Sequence, residues 1–303
     1  LDRGLVAMPV EGGKVYLGWR LLKADPESIA FNVYRGTGRM LPVKLNDKPL
    51  TQTTDFVDEK PPLDKDNMWF VKPVIGGKEG PASGTVMLPP NPEVKPCLSF
   101  KLQGDYTFQK VGLGDLNGDG KLDYVIKQPQ DNIDPADSYW YKSPDTYKLE
   151  AYLNDGTFLW RYDLGWNIER GIWYSPYVVW DFDGDGRAEV AAKTSEGDDR
   201  APDGRVLGGP EYVSIIDGMT GKEKTRLPWP SRKDFGGGLS GYNLASRNQL
   251  GVAYLDGKTP CLIVARGTYT VMVAIAYQYQ NGKLQELWTW DNREEPGGGN
   301  WRG

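Results

Sequence analysis

Apolar and polar positions alternate along this chain in short runs, the two-residue period of half-buried β-strands. Near the start the runs are Val15-Tyr-Leu-Gly-Trp19, Phe31-Asn-Val-Tyr-Arg35 and Met68-Trp-Phe-Val-Lys-Pro-Val-Ile75. A Gly76-Gly77 turn and Gly84-Thr-Val-Met-Leu88 follow. Their number and spacing predict a small β-sandwich of immunoglobulin or fibronectin type over residues 1–88. Pro89, Pro90, Pro92 and Pro96 then form a stiff extended linker over 89–96.

From 97 to 303 the alternation is nested in a longer repeat. An Asp- and Gly-rich turn, Asp115–Asp123, runs into Tyr-Val-Ile-Lys127; Leu149-Glu-Ala-Tyr-Leu153, a turn at Asn154-Asp155-Gly156 and Phe158-Leu-Trp160 follow. A second such turn, Asp181–Glu189, leads to Val-Ala-Ala-Lys193, Tyr212-Val-Ser-Ile-Ile216, the turn Asp217–Gly221 and Pro228-Trp229. The third unit has Val252-Ala-Tyr-Leu-Asp256-Gly257, Leu262-Ile-Val-Ala265, Val273–Tyr279, the turn Asn281-Gly282 and Leu287-Trp-Thr-Trp290. With long inserts removed, each unit is a four-stranded meander of about 45 residues, the length of a propeller blade. The expected fold is all-β: a sandwich, a linker, then propeller blades over 97–303. That stretch has room for about four blades and no closing strand, so an incomplete propeller from a longer protein is expected. The inserts Gln128–Tyr147 and Thr194–Gly209 occupy the same place in the repeat and should emerge on one face.

Composition narrows the function classes. With 36 Lys and Arg against 41 Asp and Glu, the net charge is -5 and no basic run occurs, which argues against nucleic acid as a partner. No run approaches the roughly 18 apolar residues of a membrane span. The 17 Tyr and 11 Trp suit β-sheets and also stacking on sugar rings. Cys97 and Cys261 are too few for a disulfide framework, and Cys261, in Cys-Leu-Ile-Val264, reads as a buried thiol. The chain has no histidine, which removes Ser-His-Asp and Cys-His nucleophiles and His-ligated zinc. Catalysis must then rest on Lys, Arg, Tyr, Asp, Glu or a metal-bound water.

The two Asp-Gly turns carry the sharpest chemistry. Each places side-chain oxygens at positions 1, 3 and 5 (Asp115, Asn117 and Asp119; Asp181, Asp183 and Asp185), a Gly at 6 and a carboxylate at 9 (Asp123; Glu189). The backbone carbonyl at position 7 (Lys121; Arg187) would complete the ring. Ca²⁺ takes six to eight oxygens, and alternating side chains on a tight Gly-bearing turn converge on one point. Two Asx-Gly turns with solvated carboxylates are the plainer alternative. The third unit keeps the Asp256-Gly257 turn but has Lys258, Thr259 and Pro260 in place of the ladder. A meander therefore forms without the acidic ladder, and calcium is the expected cofactor of the other two.

Several blocks resemble the rhamnogalacturonan lyases of polysaccharide lyase family eleven. They are Leu1-Asp-Arg-Gly-Leu-Val-Ala7, Trp19-Arg-Leu-Leu22, Ile29–Arg35, Asp115–Asp123, Trp180–Glu189, Ala192-Lys-Thr194, Val252–Gly257 and Ala265-Arg-Gly-Thr-Tyr-Thr270. The resemblance implies a sandwich followed by an eight-bladed propeller, calcium dependence and cleavage of rhamnogalacturonan I. It also implies a bacterial enzyme that is secreted, periplasmic or surface-attached, and monomeric at full length. The chain departs from the family where a histidine usually follows Asn-Ile-Arg: here Asn167-Ile-Glu-Arg-Gly-Ile-Trp-Tyr174 stands. It also reads Leu149-Glu150-Ala151 where a substrate-contacting Asp is common.

A lyase acting on a uronic acid removes the C5 proton and expels the O4 substituent, which needs a cation against the carboxylate and a base nearby. From the family-like blocks, Lys193, Arg266 and Tyr269 are the catalytic candidates. Glu150, Arg170, Trp173 and Tyr174 are the candidates for holding substrate. Two rival expectations stand beside the lyase: a non-catalytic carbohydrate-binding propeller, and a glycoside hydrolase pairing Glu150 with Glu196 or Asp198.

Overall fold

The structure is a computed structural model of the 303-residue chain and describes residues 2–94, 99–130, 141–171 and 173–295. The chain divides into two compact units, Leu1–Phe100 and Lys101–Gly303. Among the described residues it is all-β apart from one short α-helix and a 3-10 turn at Asn292–Glu294.

In the first unit β1 (Val6–Val10), β2 (Lys14–Gly18) and β5 (Asp55–Asp58) form a three-stranded antiparallel sheet. A five-stranded sheet combines β3 (Ala30–Thr37), β4 (Val43–Lys44), β6 (Asn67–Ile75), β7 (Lys78–Glu79) and β8 (Val86–Leu88). The period-two runs bury what they should: Val15 and Leu17 from one sheet meet Phe31, Val33, Trp69 and Val71 from the other in one apolar core. Asp58 enters that core because Arg35 and the Trp69 indole Nε1, at 3.0 Å, satisfy its oxygens.

The second unit holds three successive four-stranded antiparallel meanders. The first has β9 (Lys110–Gly114), β10 (Asp123–Gln128), β11 (Lys148–Tyr152) and β12 (Phe158–Asp163). The second has β13 (Tyr177–Trp180), β14 (Glu189–Ser195), β15 (Glu211–Ile216) and β16 (Glu223–Pro228). Helix α1 (Gly238–Ala245) precedes the third: β17 (Asn248–Ala253), β18 (Cys261–Thr268), β19 (Val271–Gln280) and β20 (Lys283–Asp291). The repeat extends to irregularities, since each meander has a register shift in its third strand: after Ala151, Ile215 and Ala276.

The middle sheet is covered on both faces. Val190 and Ala192 join Val125, Leu149 and Trp160 of the first meander, while Ala191, Val213 and Ile215 join Leu262, Val264 and Tyr277 of the third. That double burial explains why β14 is apolar at consecutive positions rather than alternate ones. Cys261 is a buried free thiol, and Cys97 lies outside the described residues.

Strand direction sorts the chemistry to two ends. The acidic ladders precede β10 and β14, at one end of the sheets. Both inserts leave from the opposite end, between the second and third strands of their meanders. The candidate lysine Lys193 lies four residues beyond Glu189 on β14, roughly 13 Å along an extended strand.

Candidate functional site

At the insert end, Lys193 of β14 and Arg266 of β18 converge on one carboxylate, Glu211, the first residue of β15. Lys193 Nζ lies 2.7 Å from Glu211 Oε1, and Arg266 donates from Nη1 at 2.8 Å and Nη2 at 2.5 Å. Arg232 adds a third cation at 2.7 Å. Arg266 also donates to Pro230 O at 2.7 Å and to Asn248 Oδ1 at 3.2 Å, tying the segment before α1 to the sheet. Glu169 lines the same small cavity of about 20 Å³, and its Oε1 accepts from Val206 N at 3.2 Å.

Burial acts on Glu211, Lys193 and Glu169. It would raise the Glu211 carboxyl, but Lys193 and Arg266 outweigh it and hold that group far below the usual carboxylate range. It pushes Lys193 down against the pull of Glu211, the direction a lysine base requires, and pushes Glu169 up. Access is the opposing consideration, because Lys193 and Arg266 are each only 2% exposed. Tyr269, by contrast, is 63% exposed in the β18–β19 turn, with left-handed backbone at φ 62. The structure thus brings Lys193 and Arg266 together and leaves Tyr269 on the adjoining hairpin tip.

Lys127 occupies in the first meander the place of Lys193 in the second, each four residues beyond its ladder's last carboxylate. Among the described residues it is buried without a carboxylate: Nζ donates to Ser175 O at 2.9 Å and Ser175 Oγ at 3.0 Å and lies 4.9 Å from the Tyr147 ring centre. Burial, aided by Lys110, lowers its pKa to about 7.

The proposed substrate contacts are dispersed. Glu150 is fully buried on β11, accepting from Tyr106, from Tyr152 at 2.7 Å, from Arg161 Nε at 2.5 Å and from Gln128 at 3.3 Å. Burial would raise it, but those four donors hold it below its ordinary value. A general acid of a hydrolase needs the reverse shift. Glu196 and Asp198, its suggested partners, are paired with Arg226 and Arg200. Arg170 is buried with its guanidinium 5.9 Å from the Tyr147 ring, and Tyr174 is buried. Trp173 is half-buried beneath Arg247, at 5.0 Å.

At the ladder end, Asp181, Asp183 and Glu189 place ligand oxygens within 4.8 Å of one another. Asp181 is held by Gly184 N at 2.8 Å and Gly186 N at 3.0 Å, and Asp183 by Asp185 N at 3.3 Å. Asp185 accepts from Arg187 N at 2.8 Å. Lys224 Nζ approaches Glu189 Oε1 at 3.0 Å, so a bound cation would share that carboxylate. In the first loop Asp115 accepts from Gly118 and Gly120, Asn117 from Asp119 N, Asp119 from Lys121 N, and Asp123 from Leu116 N and Asn154 N. Burial raises both Asp123 and Glu189. A cluster of oxygen donors with a buried carboxylate at its base fits a hard cation such as Ca²⁺.

Sequence reasoning passed over Glu211, Arg232, Glu169 and Lys127. Only Lys127 left a signal, its place in the repeat; Glu211 opens β15, and Glu169 and Arg232 come from the loops after β12 and β16, which carry no periodicity.

Two family models cover this architecture: the rhamnogalacturonan I lyases β-sheet domain matches residues 1–88, and the C-terminal domain of rhamnogalacturonan lyase family 11 matches residues 99–303. The chain belongs to rhamnogalacturonan lyase family 11. Among its relatives, the rhamnogalacturonan endolyase YesW of Bacillus subtilis (strain 168) is 38% identical over 320 residues, 96% of this chain and 49% of YesW. The exolyase YesX of the same organism is 35% identical over 97% of this chain and 50% of YesX. The crystal structure of YesX matches with a TM-score of 0.79 at 34% identity, over 97% of this chain and 51% of that one. A Bacillus licheniformis rhamnogalacturonan lyase matches with a TM-score of 0.79 at 36% identity, over 99% of this chain and 53% of that one. The chain spans about half the length of the curated relatives it matches.

Proposed function

We propose that this chain is part of a calcium-dependent lyase that cleaves rhamnogalacturonan I by β-elimination at galacturonic acid. The observation that carries the reading is the match of lyase family models along nearly the whole chain, at 1–88 and 99–303. On this reading the first unit is a fibronectin-like sandwich and the three meanders are blades of a propeller. Calcium in the two ladders, held by Asp115, Asn117, Asp119, Asp123, Asp181, Asp183, Asp185 and Glu189 and the carbonyls of Lys121 and Arg187, fixes the blades from the end away from the inserts. Tyr269 is the exposed member of the catalytic set and reaches substrate. Lys193 and Arg266, locked on Glu211, fix the sheet from which its hairpin rises. The substrate is a polymer, so the enzyme works outside the cytoplasm: secreted, periplasmic or on the cell surface. At full length it acts as a monomer.

The test is to add rhamnogalacturonan I and millimolar calcium to the full-length protein and follow ultraviolet absorbance. An unsaturated product is expected; release of reducing ends without it would overturn β-elimination. A second reading, a propeller that binds glycans without cutting them, gains support from the 2% exposure of Lys193 and Arg266. Glycan binding with no bond cleavage would select it.

A further inference from the structure

The insert end of the second unit carries an aromatic and cationic pair that none of the roles above uses. Trp166 sits in the loop between β12 and β13 and keeps 37% of its surface in solvent. The Arg200 guanidinium, from the β14–β15 insert, lies 4.0 Å from the indole ring centre. Arg200 is oriented by Asp198, which accepts from Nε and Nη2 at 2.6 Å each. Its Nη1 group has no hydrogen-bond partner among the described residues, and the Arg200 side chain keeps 12% of its surface in solvent. The comparable arginine on Tyr212, Arg226 at 4.2 Å, is occupied: Nη1 meets Glu196 and Nε meets Glu223.

The two loops that bring the pair together are fixed by a buried amide. Asn167 Nδ2 donates to Glu196 O at 2.6 Å and to Asp199 Oδ2 at 2.7 Å, and Asn167 Oδ1 accepts from Asp199 N at 2.6 Å. Asn167 is 1% exposed, so these bonds form away from competing water. Gly209 closes the insert at φ 80, where a Cβ would collide with Asp199 Oδ2 and lie 2.7 Å from Asn167 Nδ2. The indole and guanidinium are therefore held in place before any ligand arrives, which reduces the ordering cost of binding.

We propose that Trp166 and Arg200 form a subsite for an acidic sugar residue, the indole packing against the pyranose ring and Arg200 Nη1 donating to its carboxylate. The chemistry matches both halves of a uronic acid. An aromatic ring takes the apolar C–H face of a sugar, and a guanidinium edge takes a carboxylate through charge-assisted hydrogen bonds. The subsite deepens the lyase reading, on which it rests for its polymeric ligand, and lies at the same end as Lys193 and Arg266. Its distinct contribution is specificity: galacturonic acid units would be retained there and neutral sugars would not.

The test uses the full-length protein and calorimetric titration with rhamnogalacturonan I oligosaccharides, native and carboxyl-reduced, and separately with oligogalacturonate. Trp166→Ala and Arg200→Gln should each weaken binding of the native oligosaccharide about tenfold, the worth of one charge-assisted contact. Trp166→Phe should retain most of the affinity. Arg200→Gln should leave the carboxyl-reduced ligand unaffected. The two ligands separate recognition from architecture: a carboxylate contact makes Arg200→Gln weaken the native oligosaccharide alone, whereas a purely structural pair would make it weaken both ligands alike. Parent-like affinity in folded Trp166→Ala and Arg200→Gln proteins would overturn the subsite. If the parent neither binds nor cleaves rhamnogalacturonan I but binds oligogalacturonate through Trp166 and Arg200, the lyase reading fails and the subsite stands. If the parent binds neither ligand, both fall.

Discussion

At the level of single residues, two buried lysines at one repeat position have opposite surroundings, and pH should tell them apart. Lys193 has Glu211; among the described residues Lys127 has Ser175 and the Tyr147 ring. The folded pKa of Lys127 is lowered to about 7 from 10.5, so between those values the unfolded chain binds a proton that the folded chain does not. Stability must then rise with pH across that window, and the gain is absent below about 7. Lys127→Met should remove that slope, so the difference in Tm between parent and variant narrows from pH 7 to pH 10; a constant difference would mean that Lys127 stays charged. Glu211 carries the opposite sign. Its carboxyl is depressed, so its contribution is complete above the ordinary carboxylate value of 4.5 and is lost as the solution becomes more acidic. Glu211→Gln leaves two buried cations, Lys193 and Arg266, short of a partner and should cost about 3–5 kcal/mol in urea unfolding at pH 7. It should also flatten the acid limb of the stability curve.

The elements test the ladders. If the two loops bind calcium only when folded, a concentration of about 100 times Kd stabilises by about 2.7 kcal/mol per site, a shift of several degrees in Tm. Asp183→Asn should remove the share of the second loop, and parent protein that melts alike in calcium and in chelator would return both loops to plain Asx-Gly turns. These loops were legible because their chemistry is local: position within nine residues decides which oxygens converge. The strands were legible for the same kind of reason, since Val15-Tyr-Leu-Gly-Trp19 and Val190-Ala-Ala-Lys193 show their burial in their own spacing. Helix α1 was not. Its Gly238-Leu-Ser-Gly-Tyr242 start has poor helix propensity, and Tyr242 and Ala245 are buried through tertiary packing. β5 escaped notice because four residues, Asp55–Asp58, show too little alternation to register. The Glu211 cluster was invisible for a deeper reason: its members span residues 169 to 266, and long-range strand pairing together with loops that lack periodicity brings them together.

For the whole molecule, the separation of chemistries between the two sheet ends decides what calcium can do. A cation that neutralised the substrate carboxylate would have to sit at the insert end, beside Tyr269 and the Glu211 cluster. The ladders lie at the other end, roughly 13 Å of strand away from Lys193. On the proposed lyase reading, calcium there would act on catalysis through the rigidity of the sheets. In the full-length protein, Asp119→Asn and Asp183→Asn should therefore leave kcat at 25 °C within about threefold of the parent, well short of the several kcal/mol that a Lewis acid in contact with substrate supplies. The same variants should lose activity at a temperature several degrees lower, in step with the shift in Tm. A loss of kcat of a hundredfold or more at 25 °C, in variants that melt like the parent, would place the ladder calcium in contact with substrate. The separation of the two ends would then not survive in the full-length protein.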